Sequence, residues 1–315
     1  MSVLFFKVFR YLKNPRRLYV KCATKKLGKE SSKLSDEEFI RRLYKIRIGK
    51  ELNLESPQTF NEKMQWLKLY NRKSIYTTMV DKCAVKKYVS EVLGRQYVAK
   101  QFGCWEKYED IDFEHLPNQF VLKTTHGCGG MLICKNKEST DFSQYSNLFQ
   151  NTLNDNYFYH CREWPYKNVK PQIIAEELLI DDEQENLPVY KFFCFSGEPF
   201  LAQVIQNDKH INETIDYVDM DWNILNIRQN YPNSRKPLKK PDCLKEAIEV
   251  CRTLTKGIPF VRCDLYIIKN KIYFSEFTFY SDAGFEKFHP RKWDLILGNL
   301  INLNDIMQSK NKSVA

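Results

Sequence analysis

FVRCDLYIIKNKIYFSEFTF, residues 260–279, sets two alternating apolar runs on either side of Lys269, Asn270 and Lys271. Alternation of period two around a short polar turn predicts a β-hairpin. Counting symmetrically from Asn270 as the turn centre places Asp264 opposite Glu276 and Arg262 opposite Thr278. Strand side chains alternate, so these four share one face while Val261, Cys263, Leu265, Phe277 and Phe279 line the other. Facing residues have Cβ atoms roughly 4.5–5.5 Å apart, and two carboxylates at that separation need a cation. Hard oxygen donors so placed suit Mg²⁺, which takes one or two carboxylates together with nucleotide phosphates. The same pair can instead be neutralised by Arg262 or Lys271 on a solvated strand, and the pattern alone leaves both readings open.

Upstream, VYKFFCF (189–195) centres Lys191 in an aromatic strand, where its charge needs an anionic partner or an edge position. FVLKTTHGCGGMLIC (120–134) reads as strand, loop, strand. Gly127, Gly129 and Gly130 can fold their free N–H groups over a phosphate with Lys123 supplying charge, or can simply turn a hairpin. It is no Walker A loop, because GK[ST] is missing and no helix follows at once. His126 reads equally as ligand, base or plain loop residue. QIIAEELLI and FLAQVIQ add strand-like runs. Helices are expected after the capping pairs Ser35 with Glu38 and Thr59 with Glu62, after Asp81 and Lys82 as far as Gly94, and over 242–256 before Gly257. A mostly helical first third, followed from about residue 116 by strands with helices between them, predicts an α/β (α+β) architecture.

With 315 residues, 43% apolar and 14% aromatic, the chain can bury a sizeable core, and no apolar run approaches a membrane span. Its ten cysteines form no CxxC pair, so the expectation is buried free thiols in a reducing cytoplasm rather than a zinc site or disulfide scaffold. The net charge of +10 is concentrated at one end: the first 29 residues hold nine basic side chains and no acidic one. A nucleic-acid-binding body is thereby disfavoured. Leu4, Phe5, Val8, Tyr11 and Leu12 recur at helical spacing up to Pro15, which is expected to end the helix. Lys7 and Arg10 interrupt that run, against a secretory signal peptide. Such an arm can adsorb to an anionic membrane or dock on the protein's own core.

VDKCAVKKYV, FVLKTTHGCGG, IIAEELL, VYKFFCFSGEP, FVRCDLY, YFSEFTFYSDAGFEKFHP and WDLILG, in this order over about residues 55–303, resemble the ATP-grasp superfamily. Within it they are similar to the TupA-like group associated with teichuronopeptide and other cell-surface polysaccharide synthesis. The resemblance implies an ATP-grasp fold with ATP between two α+β subdomains. Together with the charge distribution it divides the chain into a basic arm (1–30), a mostly helical domain (31–115), subdomain 1 (116–180), subdomain 2 (181–308) and a tail (309–315). It implies ATP phosphate or adenine contacts for Lys82 and Lys123, and a closing loop at Gly127, Gly129 and Gly130. Glu176, Glu177 and Leu179 match the adenine hinge, and Asp182 or Glu183 the ribose partner. Lys191 matches the β/γ-phosphate lysine, Arg262 the arginine at the transferring phosphoryl group, and Asp264, Glu276 and Thr278 the ligands of one or two Mg²⁺ ions. Two departures stand out: Thr278 replaces a frequent Asn, and Val189 replaces the acidic residue of the family's DYKF.

The activity so implied is ATP-dependent carboxylate–amine ligation through an acyl phosphate. Its partners would be an amine, such as an amino acid, and a uronic-acid carboxylate of a capsular, O-antigen or teichuronic-type glycan. The expected place is the cytoplasm, with residues 1–29 holding the chain to the inner face of the plasma membrane. Rival readings are a glycosyltransferase using the Asp219-Met220-Asp221 triplet, a phosphotransferase, and a non-catalytic scaffold on an ATP-grasp fold.

Overall fold

The computed structural model describes residues 15–182, 186–208, 212–234, 236–304 and 306. Helices come first, most of them begun by a residue suited to its end. Helix α1 (Pro15–Lys29) starts at Pro15, where the missing N–H would have had no intrahelical partner anyway. Pro15 thus opens a helix of its own, and the amphipathic stripe from Leu4 to Leu12, with the helix expected to end at Pro15, lies outside the described residues. Helix α2 (Asp36–Ile48) is capped by Ser35, whose hydroxyl accepts the Glu38 N–H at 3.2 Å, and stops at Gly49 with φ 84°. The Glu38 side chain turns to Arg42 instead of closing the box. The full reciprocal box occurs at Thr59 and Glu62, at the head of α3 (Phe60–Tyr70). Then follow α4 (Ser74–Val80) and α5 (Ala84–Leu93). Asp81 accepts the Cys83 and Ala84 N–H groups at the start of α5, and Gly94 ends it.

Four antiparallel strands make the first sheet: β1 (Gln101–Trp105), β2 (Phe120–Thr124), β3 (Met131–Cys134) and β4 (Ile173–Glu177), in the order β1-β4-β2-β3. β1 precedes residue 116, so strand structure starts earlier than its sequence suggested. Helix α6 (Ser146–Leu153) covers this sheet through Phe149, which stacks on Tyr108 at 5.3 Å, and the short α7 (Phe158–Cys161) follows. The second sheet comprises β5 (Val189–Phe195), β6 (Glu198–Gln206), β7 (Thr214–Asp219), β8 (Ile224–Leu225), β9 (Phe260–Ile268) and β10 (Lys271–Thr278). Its order is β10-β9-β5-β6-β7-β8. Helices α8 (Leu244–Thr255) and α9 (Lys292–Asn299) complete the chain.

Alternation along β5 and β9 puts Phe192 and Cys263 on one face, against α8, and Phe193, Arg262 and Phe260 on the other. Phe60 of α3 packs onto this second face, 4.9 Å from the Phe260 ring and 6.3 Å from Phe193. Helices of the first third and the six-stranded sheet therefore share one core, whereas the four-stranded sheet has its own. The cysteines need one correction: Cys83 and Cys104 are paired in a disulfide, and of the remaining described thiols Cys22 and Cys128 are exposed. The pair joins the start of α5 to β1, a proximity that spacing in the sequence does not reveal. Among the described residues no helix is long and apolar enough to cross a membrane.

Candidate functional site

The hairpin of β9 and β10 forms by a different route from the expected one. Lys269 and Asn270 alone make the turn, with φ of 48° and 62°, the two-residue type that suits strand twist. Continued unchanged, that register would set Asp264 opposite Ser275. A bulge at Ser275 adds one residue, so Glu276 faces Asp264 and Thr278 faces Arg262 after all. The tighter turn and the bulge offset each other, which is why the symmetric count from Asn270 reaches the right pairs.

β5 lies beside β9, and Lys191 faces Asp264 with Nζ 3.6 Å from Oδ2. This strand is interior to the sheet, so the lysine takes an anionic partner and not an edge position. Arg262 grips Asp264 with both ends of its guanidinium, at 2.7 Å and 2.8 Å, and also donates to the Thr278 hydroxyl at 2.9 Å and to Ser281 Oγ at 3.3 Å. Thr278 thus supports the arginine. Burial alone would push the Glu276 carboxyl up, yet Lys82, Lys191, Arg262 and Lys123 around it outweigh burial and hold it below its ordinary value. Lys82 donates to the Gly127 carbonyl at 2.7 Å, and its burial pulls its own pKa down.

On the four-stranded sheet, Lys123 contacts one Glu176 oxygen and Lys86 of α5 the other, at 2.9 Å. Burial opposes ionisation of Glu176, but the two lysines prevail and bring its pKa to about 2. Lys86 was missed in the sequence, although it stands four residues beyond Lys82 in DKCAVKKYV. Glu177 is exposed and pairs its backbone N–H with the Lys100 carbonyl at 2.8 Å; Leu179 is half-buried just past β4. Asp182 is exposed and lies 3.1 Å from Lys269, while Glu183 lies outside the described residues.

The glycine loop sits low over its surroundings. A Cβ on Gly130 would come 2.7 Å from Thr124 Cγ2, one on Gly127 would come 2.9 Å from Tyr157 Cβ, and Gly129 has φ 138°. His126 anchors the loop to the end of α6, its Nε2 2.9 Å from the Thr152 carbonyl oxygen. Behind the site, three buried residues of α3 on one helical face hold the loop that follows β10. Asn61 Nδ2 donates to Glu286 O at 2.8 Å, Gln65 Nε2 to Gly284 O at 2.7 Å, and Lys68 Nζ to Ala283 O at 2.7 Å. Asp282 and Ala283 are thereby held at φ 49° and 52°, positions costly for residues with a Cβ, beside the Ser281 that Arg262 contacts.

Lys82, Lys86, Lys123, Lys191 and Arg262 stand against Glu176, Asp264 and Glu276, an excess of positive charge. That excess repels a bare divalent cation and suits one that arrives with a polyphosphate, and Glu276, ringed but not gripped by a guanidinium, retains oxygens for it. No cluster of three or more His, Cys, Asp or Glu side chains fit to hold a metal by themselves occurs among the described residues. The Asp219-Met220-Asp221 triplet is a turn: Asp219 accepts from the Asn223 backbone at 2.8 Å, the Asn223 side chain at 2.9 Å and the Asp221 backbone at 3.0 Å.

Residues 62–302, which include every one of these cations, match the family described as TupA-like ATP-grasp. The chain belongs to the TupA-like ATP-grasp family. D-alanine–D-alanine ligase from Bacillus anthracis complexed with ATP is similar to this TupA-like chain at TM-score 0.42 and 13% identity, covering 75% of this chain and 68% of that one. L-amino acid ligase from Bacillus licheniformis gives 0.43 and 14%, over 71% of this chain and 49% of that one, so the chain spans about half its length. N5-carboxyaminoimidazole synthetase from Staphylococcus aureus complexed with ADP gives 0.39 and 15%, over 78% and 56%. No curated protein matches the chain.

Proposed function

We propose that this TupA-like ATP-grasp chain is an ADP-forming carboxylate–amine ligase that works through an acyl phosphate. The observation that carries the reading is Glu276 faced by Lys82, Lys123, Lys191 and Arg262, four cations from four separate segments. Phosphoryl transfer asks a protein for positioning and charge neutralisation more than for covalent chemistry. Lys82, Lys123 and Lys191 would neutralise the ATP phosphates while Glu176 to Leu179 meet the adenine. Glu276 would hold Mg²⁺, which neutralises phosphate charge when bound, while Asp264, matched to a Mg²⁺ ligand by the sequence, has both oxygens committed to Arg262 and would hold the arginine instead. Arg262, kept in place by Asp264, Thr278 and Ser281, would steady the phosphoryl group as the substrate carboxylate attacks it. The amine then attacks the acyl carbon and phosphate leaves.

The family's association with cell-surface polysaccharides supports a uronic-acid carboxylate in a capsular, O-antigen or teichuronic-type glycan as one substrate, and an amino acid or similar amine as the other. The glycosyltransferase reading loses its support because Asp219 serves a turn. Product analysis tests the proposal: ADP and phosphate should form only when a uronide and an amine are both present. AMP with pyrophosphate, or sugar transfer without ATP, would overturn it.

A further inference from the structure

Lys191 stands midway along a row of polar side chains that crosses the six-stranded sheet. Register sets Glu276 of β10 beside Asp264 of β9, Asp264 beside Lys191 of β5, Lys191 beside Gln203 of β6, and Gln203 beside Tyr217 of β7. Directly paired residues project to one face, so all five share the face on which the phosphates would sit. The row changes character along its length: Glu276, Asp264 and Lys191 are charged, whereas Gln203 and Tyr217 are neutral. Both neutral residues are buried, at 3% and 0% exposure, and Gln203 stands between Leu201 and Ile205, the buried apolar residues before and after it on that face. An amide set among apolar side chains is destabilising unless it is hydrogen-bonded. Gln203 Nε2 donates to the Tyr217 hydroxyl at 2.8 Å and to Gln229 Oε1 at 3.2 Å, and the Tyr217 hydroxyl donates to the same Gln229 oxygen. This closed triangle uses both Gln203 N–H groups and the Tyr217 proton. It leaves Gln203 Oε1 and Gln229 Nε2 with no hydrogen-bond partner among the described residues. A free acceptor and a free donor group thus belong to two amides that hold each other, on the strand next to Lys191 and just beyond it.

We propose that Gln203 and Gln229 bind ring hydroxyls of the carboxylate substrate, with Tyr217 as the positioning residue that holds the two amides, so that the site selects a sugar acid over a plain carboxylate. This inference rests on the ligase reading and adds a subsite to it. Neighbouring hydroxyls of a sugar ring match such a pair of amides, because a hydroxyl can donate to Gln203 Oε1 while the next one accepts from Gln229 Nε2. Phosphate does not match it: ionised phosphate oxygens only accept, and they call for the cations at the other end of the row. The spacing also fits. Adjacent strands lie about 4.8 Å apart, so a carboxylate held at Arg262 and Lys191 would bring a ring attached to it over β6, within reach of Gln203.

The test offers the full chain MgATP and hydroxylamine, a small nucleophile that traps an acyl phosphate as hydroxamate. The carboxylate is methyl glucuronide, methyl galacturonide, or tetrahydropyran-2-carboxylate, which is the same ring without hydroxyls. The wild type should favour at least one of the two uronides over the bare ring by about 10²-fold or more in kcat/KM. Gln203→Met, Gln229→Ala and Tyr217→Phe should each reduce that ratio by about tenfold or more. Melting curves check that each variant folds, and Gln229, which is half-buried, keeps the test available if a core variant fails to fold. A wild type that uses the bare ring as well as the uronides, or folded variants that lose activity equally with both and so keep the ratio, would overturn the inference and leave the ligase reading standing. No hydroxamate from wild type with any of the three carboxylates would overturn the ligase reading, and the inference with it.

Discussion

Glu276 is one carboxylate facing Lys82, Lys123, Lys191 and Arg262 in a partly solvated cleft, its side chain 41% exposed, so its removal leaves cations facing one another without their shared counter-charge. Glu276→Gln should therefore lower the melting temperature of the free protein, enlarge the rise that pyrophosphate or ATP produces, and reduce turnover by about 10²-fold. Thermal shift with and without pyrophosphate checks the first two, and ADP release the third. Glu163 predicts a pH effect of opposite character. Its folded pKa of about 7 lies above the ordinary 4.5, so between those values the folded chain keeps a proton that the unfolded chain gives up. Stability from this group is full below pH 4.5 and falls as pH rises through 7. Relative to wild type, the melting temperature of Glu163→Gln should rise between pH 5 and pH 8, and a flat difference across that range would contradict it. Neither Glu163 nor Lys68 could be read from the sequence. Lys68 stands between Trp66 and Tyr70 and Glu163 between Arg162 and Trp164, and only tertiary packing tells a buried charge from a solvated one. Asn61 and Gln65 did leave a trace, as polar residues one helical turn apart in FNEKMQWLKLY.

At the scale of elements, the β9–β10 hairpin shows what alternation can and cannot carry. Period two identifies the face that Asp264 and Glu276 share, because one side of the strands must be apolar. It does not reveal a bulge, since Ser275 between Phe274 and Glu276 looks like any polar strand residue. β7 illustrates the converse: TIDYVD alternates, but its polar flanks and the neighbouring aspartates obscured it. In the two-residue turn, Lys269 has φ 48°, a conformation that Asn tolerates better than Lys. Its ion pair with Asp182 is exposed on both sides and contributes little. Lys269→Asn should accordingly raise stability by about 0.5 kcal/mol without changing kcat, as read by urea unfolding and steady-state assay. A fall of that size would mean that the Asp182 contact matters more than the turn.

For the whole molecule, the basic end is partly explained by packing. Helix α1 meets α2, and its Leu27 is buried in the main core, so the docking alternative holds for that stretch. The sequence of α1 still contains Arg16, Arg17, Lys21, Lys25, Lys26 and Lys29 and no acidic residue. Residues 1–29 are therefore expected to bring the chain to anionic vesicles, less so as salt screens the attraction. Sedimentation with anionic and neutral liposomes should show loss of binding in a chain that begins at Ser31, and equal partitioning of the two chains would contradict it. The sequence conveyed the α+β order of elements, but not that the helices of the first third and the six-stranded sheet would bury their side chains together, because shared burial is set by contacts distant in sequence. The separate core of the four-stranded sheet, built around Phe120, Leu122, Phe149 and Ile173, has a kinetic consequence. A small core of its own lets that sheet open without unfolding the rest, so its amides should exchange with deuterium ahead of those in β5 and β9. A nucleotide held between Lys123 on one sheet and Lys191 on the other would tie the two openings together, and added MgATP should slow exchange in β2 and β4 more than in β5.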